Sequence, residues 1–234
     1  QITIFMAHWL QASLSSFRSI SVNAKLILDN YITEEGYDVL GQAISSGYLA
    51  CDSFISDSPA LSGYYPGMTH RGHLLNIFCM HALDQAAART KLFYGGVAPN
   101  AARNHFHARF QFGLLTITSH FSGRRAHRQA RKAVNLALLA AANGDLFENE
   151  AKQPDVVPDS FADPLWCRLY HGGWTKPLAA VLVMPNRDQT ESKLSLALRL
   201  PEPSVTEAEA VTEMFKMSVK TNSVKENESS SAAS

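Results

Sequence analysis

The chain has 234 residues, 46% hydrophobic and 18% charged, a composition typical of a globular protein large enough to bury a core. Its 21 basic and 21 acidic residues cancel, so no net charge draws the whole molecule to nucleic acid or to a membrane. It contains no run of ~18 apolar residues, which predicts that no helix crosses a membrane and that no membrane is a partner.

The first hundred residues have helical periodicity. It predicts a helix after Ser21, a short second helix that Gly47 ends, and a third over about 74–91 that the glycines at 95 and 96 end. The segment SDSPALSGYYPG, residues 56–67, is rich in turn residues and predicts a loop. The helix predictions rest on the spacing of apolar residues, which include Leu26, Ile27, Tyr31, Ile32, Tyr37, Leu40, Ile44, Leu74, Ile77, Phe78 and Leu83.

The pattern changes at residues 105–112, HFHARFQF, where large apolar and polar side chains alternate. This alternation predicts a half-buried strand with the phenylalanines inside and His105, His107 and Arg109 on the opposite side. Gly113 predicts a bulge or a shift of phase before a further β-rich run.

The second half of the chain adds a hairpin and another strand. The hairpin is predicted from the runs LWCRLYH and LAAVLVMP, and the strand from KLSLALRLP. A helix from Thr206 to about Val219 and a disordered polar tail follow. We therefore predict an α+β fold, in which a mainly helical N-terminal half packs on an antiparallel sheet from the C-terminal half. The predicted division is one domain over 1–200, then a short helix and tail over 201–234.

Charge is segregated along the chain. Between Gln85 and Gly144 there is no acid, but there are nine Lys or Arg and four His residues. From Asp145 to Asp163, six acids stand against Lys152 alone. Such separation favours a charged interaction surface, because mixed signs are the usual arrangement on a soluble domain.

The basic segment, residues 124–132, lies at the start of a helix predicted from Arg124 to about Asn143. Helical spacing places its cations on one face and alanines on the other. Positive charge at a helix N-terminus is unfavourable, and a bound anion removes that cost. The candidate anion-binding residues of the protein are Arg109, Arg124, Arg125, Arg128, Arg131 and Lys132.

Two other interpretations of the basic segment remain open. It can be the ordinary solvated face of a surface helix, since Arg and Lys are good helix formers. It can also pair with the acidic residues of 145–163, within the chain or between copies in a self-associating scaffold. The expected partner is nucleic acid or another polyanion, with an acidic protein surface as the alternative, and the oligomeric state stays open.

Histidines provide the alternative of an enzyme that acts on phosphorylated or nucleic-acid substrates. His105 and His107 share one side of a strand and are candidates for general acid or base catalysis. The same two residues, and the pair His70 and His73, are candidate metal ligands, although zinc needs three or four convergent ligands. The cysteines Cys51, Cys79 and Cys167 are odd in number and form no CxxC pair, which argues against a disulfide framework. We predict a cytoplasmic setting and no cofactor.

Overall fold

Three long helices and a six-stranded sheet form the part of the chain that the structure, a computed structural model, describes. It describes residues 25–63, 69–99, 106–123, 137–141, 143, 165–189 and 192–217. The long helices are α1 (Glu34–Ser56), α2 (Arg71–Thr90) and α3 (205–217). Three short helical segments are 25–28, which lies within the helix predicted after Ser21, Pro59–Ser62 and Ala137–Ala141. The strands are β1 (Tyr94–Pro99), β2 (Phe106–Phe112), β3 (Leu115–Phe121), β4 (Leu165–Gly173), β5 (Pro177–Pro185) and β6 (Ser192–Ala197).

Helix α1 is longer than its periodicity predicts. Its N-cap is Thr33, whose hydroxyl accepts a hydrogen bond from the backbone N–H of Gly36, and the helix runs for 23 residues from Glu34. The prediction that Gly47 ends this helix is wrong. Gly47 lies where α1 packs on α2, and a Cβ atom there would come within 2.8 Å of the Cα of Cys79. The glycine therefore serves the close approach of two helices.

Helix α2 and the segment before it also differ from the prediction. The loop predicted over 56–67 contains the short helical segment Pro59–Ser62. Helix α2 ends at Thr90 because Lys91 adopts a left-handed conformation with a φ of 58°. The glycines at 95 and 96 lie beyond that end, in β1, where they pair with β2. Among the described helices, none is long and apolar enough to cross a membrane.

The fold is α+β, with the N-terminal helices packed on a mostly antiparallel sheet, as predicted. The strand order is β1-β2-β3-β4-β5-β6. Four of the five neighbouring pairs are antiparallel, and the exception is the parallel pair β3–β4. The wholly antiparallel sheet of the prediction is corrected at this one pair. A parallel pair needs a long crossover connection, which residues 122–164 provide.

The hairpins follow the sequence pattern more closely. Strand β2 buries Ala108, Phe110 and Phe112 and exposes Arg109, as the alternation predicts. Gly113 does not make a bulge: Phe112 pairs with Leu115, so Gly113 lies in a two-residue turn with a φ of 57°. The predicted hairpin of β4 and β5 and the predicted strand β6 are both present.

The two faces of the sheet have different neighbours. One face packs against α1 and α2 in the main hydrophobic core, which includes Phe110, Ile117, Cys167 and Leu182. We call the opposite side the non-helical face. It carries Arg109, Thr118, Trp166, Arg168 and Tyr170, because successive residues of a strand point to opposite sides.

The crossover between β3 and β4 returns to the non-helical face. Ala140, in the short helical segment 137–141, packs against Trp166, and both are fully buried. The side chain of Asn143 donates to the backbone carbonyls of Trp166 and Pro185 at 2.8 and 2.9 Å. It also accepts from the backbone N–H of Trp166 at 2.8 Å. Buried Asn143 therefore joins this connection to two strands. The rest of the helix predicted over 124–143 lies outside the described residues.

Helix α3 confirms the predicted helix after Pro201. It packs on the same main core through Ala208 and Val211. The Phe215 ring lies 4.7 Å from that of Phe78, and Glu207 pairs with Arg89. The division at residue 200 stays a prediction, and residues 218–234 lie outside the described part of the chain.

Candidate anion-binding site

Arg168 is a buried cation in the centre of the sheet. It lies in β4, on the non-helical face, and only 2% of its surface is exposed. One terminal nitrogen donates to the Tyr170 hydroxyl at 3.0 Å, and the other donates to the side-chain oxygen of Gln189. Its guanidinium carbon lies 4.7 Å from the centre of the Trp166 ring. All three partners are neutral.

No carboxylate among the described residues forms an ion pair with Arg168. Arginine keeps its positive charge in proteins, and a buried charge costs several kcal/mol unless it is paired. Its Nε atom is also buried and has no hydrogen-bond partner within the described structure. Arg168 therefore combines a buried positive charge with an unused donor, a combination suited to an anion.

The side chains around Arg168 form one group joined by hydrogen bonds and ring contacts. The indole N–H of Trp166 donates to the Thr118 hydroxyl at 3.1 Å, and that hydroxyl lies 2.9 Å from Nε2 of His120. The rings of His120 and Tyr170 are 5.8 Å apart. We call this group the polar cluster; its members are Thr118, His120, Trp166, Arg168, Tyr170 and Gln189.

Arg109 is the predicted anion-binding residue that the structure places beside the polar cluster. Arg109 of β2 pairs with Thr118 of β3, which pairs with Arg168 of β4. The two arginines thus lie in one row across the non-helical face, about 10 Å apart at two strand spacings. Arg109 is exposed, whereas Arg168 is buried.

The other predicted residues are not brought into this site by the described structure. The basic segment, with Arg124, Arg125, Arg128, Arg131 and Lys132, lies outside the described residues, and so does His105. His107 belongs to β2, but its side chain is not among those described. Their roles as anion contacts, metal ligands or catalysts stay predictions.

The second predicted histidine pair lies elsewhere, at the start of α2. His70 and His73 are both exposed, and their ring centres are 6.4 Å apart. No group of three or more potential His, Cys, Asp or Glu metal ligands occurs within the described part of the chain. The two histidines therefore have no third described ligand beside them.

Another histidine, His171, is fully buried on the helical side of β4. Its Nδ1 atom lies 3.4 Å from the hydroxyl of Tyr48, and its ring packs near Phe121. Burial lowers the pKa of His171 to about 3, so the ring is neutral at neutral pH. The three cysteines are also unpaired and buried, and burial raises the pKa of Cys51 to about 12.

Sequence reasoning missed Arg168, the central residue of the cluster. The available signal was a single arginine inside the apolar run LWCRLYH, which becomes the fully buried strand β4. A charged residue in such a run is either paired or functional. Gln189 and Thr118 had no distinguishing signal, because the fold alone brings them to Arg168.

Comparison of the chain with protein-family models, with curated proteins and with solved structures finds no match. The residues of the site are therefore the only basis for assigning a function.

Proposed function

We propose that the protein binds phosphate-bearing polyanions, foremost nucleic acid, through the non-helical face and the basic segment. The observation that carries the proposal is the buried charge of Arg168, which has no ionic partner among the described residues. A charge in a poorly polarisable interior is weakly screened, so it raises the electrostatic potential over the surface above it.

The surroundings of Arg168 support a surface of one sign. Exposed Arg109 lies in the same row of the sheet. The basic segment begins one residue after Gly123, directly beyond the end of β3, and its chain returns to this face at Ala140. Contacts from arginines to phosphates give affinity and strong salt dependence without reading a base sequence.

The test is binding of a fluorescent single-stranded oligonucleotide, measured by anisotropy over a salt series. The wild type is compared with Arg109→Ala and with the triple variant Arg124→Ala, Arg128→Ala, Arg131→Ala. The matched control is Arg199→Ala, because Arg199 is exposed after β6 and its carbonyl lies against Gly41 of α1, on the helical side.

We expect the triple variant to lose at least tenfold in affinity and Arg109→Ala to lose several-fold, while the control binds as the wild type does. The slope of log affinity against log salt should fall by about 0.7 for each phosphate contact removed. Absence of wild-type binding at about 50 mM salt, or equal losses in Arg109→Ala and Arg199→Ala, would contradict the proposal.

A further inference from the structure

Two arginines are buried in the described part of the chain, and their hydrogen-bond partners differ. The Nε of Arg71 donates to the backbone carbonyl of Trp174 at 3.0 Å, whereas the Nε of Arg168 has no partner there. Arg71 is 4% exposed, lies over the ring of Trp174 and pairs with the carboxylate of Asp52. Arg168 is 2% exposed and lies over the ring of Trp166, but an amide oxygen of Gln189 takes the position that the carboxylate has at Arg71. A terminal nitrogen of Arg71 therefore has an acidic partner, whereas the corresponding nitrogen of Arg168 has a neutral one.

The edge of the guanidinium that Gln189 occupies is one that can bind an oxyanion. Carboxylates and phosphates bind arginine through two parallel hydrogen bonds, commonly to Nε and a terminal nitrogen. At Arg168 one terminal nitrogen donates to Gln189, and Nε is buried without a hydrogen-bond partner in the described structure. The amide oxygen of Gln189 thus occupies the position of one oxyanion oxygen, and the Nε–H that would bind a second oxygen is unused.

Gln189 lies in a turn and has a left-handed backbone conformation. The turn joins β5 to β6, and the backbone N–H of Gln189 donates to the carbonyl of Asn186 at 2.9 Å. The φ of Gln189 is 57°, in the left-handed region, which is unfavourable for a residue with a side chain. Movement of the Gln189 side chain away from Arg168 would open the guanidinium edge.

We infer that Arg168 and Gln189 form a displaceable oxyanion site, in which a terminal phosphate takes the place of the Gln189 side chain. This inference rests on the proposed function and deepens it by naming the part of the polyanion that is bound. Arg168 is buried two strands inward from exposed Arg109. An internal phosphodiester is flanked by sugars on both sides, whereas a terminal phosphate can enter end-on. Its charge of about −2 matches two arginines.

The first part of the experiment measures melting temperature in inorganic phosphate and in chloride at equal ionic strength. The variants are Gln189→Met, which removes the displaced oxygen at similar size, and Gln189→Glu, which supplies Arg168 with its own carboxylate. Both leave Arg168 in place, so neither depends on the folding of an arginine deletion.

We expect phosphate to raise the melting temperature of the wild type. The half-maximal phosphate concentration should be several-fold lower in Gln189→Met. Gln189→Glu should melt higher than the wild type and show no response to phosphate. Equal phosphate responses in the wild type and Gln189→Glu, or no response in Gln189→Met, would overturn the inference.

The second part compares a 5′-phosphorylated oligonucleotide with the same oligonucleotide bearing a 5′-hydroxyl. The wild type should bind the phosphorylated one several-fold more tightly, and Gln189→Glu should lose this preference while still binding both. Equal wild-type binding of the two overturns the inference and leaves the proposed function standing. If neither binds but phosphate stabilises the wild type and not Gln189→Glu, the oxyanion site stands for free phosphate and the proposed function fails.

Discussion

The guanidinium of Arg168 lies 4.7 Å from the centre of the Trp166 ring, two residues earlier on the same strand. A cation held over an indole face is stabilised by the negative potential of the ring, by about 2 kcal/mol or more where water is excluded, whereas burying an unpaired charge costs several kcal/mol. The ring contact therefore offsets part of the cost of burying the charge. The remainder is a cost that a bound anion would offset under the proposed function.

Asn143 is the residue whose loss should most weaken the attachment of the crossover to this face. It is fully buried and makes three hydrogen bonds to the backbone of Trp166 and Pro185. Asn143→Ala leaves those backbone groups without partners, which costs about 1–3 kcal/mol for each unsatisfied group. We expect the free energy of unfolding in urea to fall by about 3 kcal/mol or more, the lower end for three such groups.

The matched control for that variant is Asn30→Ala. The Asn30 side chain also donates to backbone carbonyls, those of Leu26 and Ile27, but it is exposed to water. Its loss should cost about 0.5 kcal/mol or less. Equal losses for the two asparagines would show that Asn143 does not hold the crossover on the sheet.

His171 predicts a fall in stability with acid. Its pKa of about 3 in the folded protein lies below the ordinary value near 6.5, so the unfolded chain takes up the proton first. The contribution of His171 to stability is complete above pH ~6.5 and is lost as the pH falls toward 3, by about 1.4 kcal/mol for each pH unit. Burial also lowers the pKa of His81, which acts in the same direction.

Urea unfolding at pH about 7.5 and about 5 measures this effect. His171→Phe removes the titrating group and keeps a ring beside Tyr48 and Phe121. The loss of stability between the two pH values should shrink by about 2 kcal/mol in this variant, from one and a half pH units of linkage. His73→Gln, at an exposed site on α2, should behave as the wild type. An unchanged pH dependence in His171→Phe would contradict the assignment.

The helix crossing at Gly47 predicts a sharp response to a single methyl group. In Gly47→Ala the new Cβ would meet the backbone of Cys79 at 2.8 to 3.0 Å, so α1 and α2 must separate. We expect a loss of about 1–3 kcal/mol in the free energy of unfolding. Gly63→Ala is the control, because its Cβ would have 3.3 Å to the nearest atom at an exposed site. A neutral Gly47→Ala variant would mean that the helices do not cross there.

The cysteines should be inert in the folded protein. All three are buried, and burial raises the pKa of Cys51, Cys79 and Cys167 above its ordinary range. Thiolates are the reactive form, so a thiol reagent such as DTNB should label none of them in native protein and all three in denaturant. Rapid labelling of one native thiol would show that the packing around it is wrong.

Much of the fold follows from local patterns. The alternation in HFHARFQF and the apolar runs around the second hairpin predict β2, β4 and β5 because the strand period is visible in single residues. The end of α1 was mispredicted, since a glycine that ends a helix and one that allows a helix crossing look alike in sequence. The parallel pairing of β3 with β4 depends on a crossover and leaves no local signal.

Of the residues in the candidate anion-binding site, the sequence pattern predicts only exposed Arg109 as an anion contact. Arg109 was found because its strand alternates, and Arg168 was missed because its strand is buried on both sides and shows no alternation. Gln189 and Arg168 are far apart in the sequence, so no local pattern predicts that their side chains are in contact. Anion binding by the basic segment stays a prediction from charge pattern, to be settled by measurement.

The measurement that tests polyanion binding most directly is protection of arginines from phenylglyoxal by an oligonucleotide, read by mass spectrometry. We expect bound oligonucleotide to slow modification of Arg109 and of the arginines in the basic segment several-fold, while exposed Arg199 reacts at the same rate as in the free protein. Modification of Arg109 at the same rate with and without a saturating oligonucleotide would contradict the proposed surface.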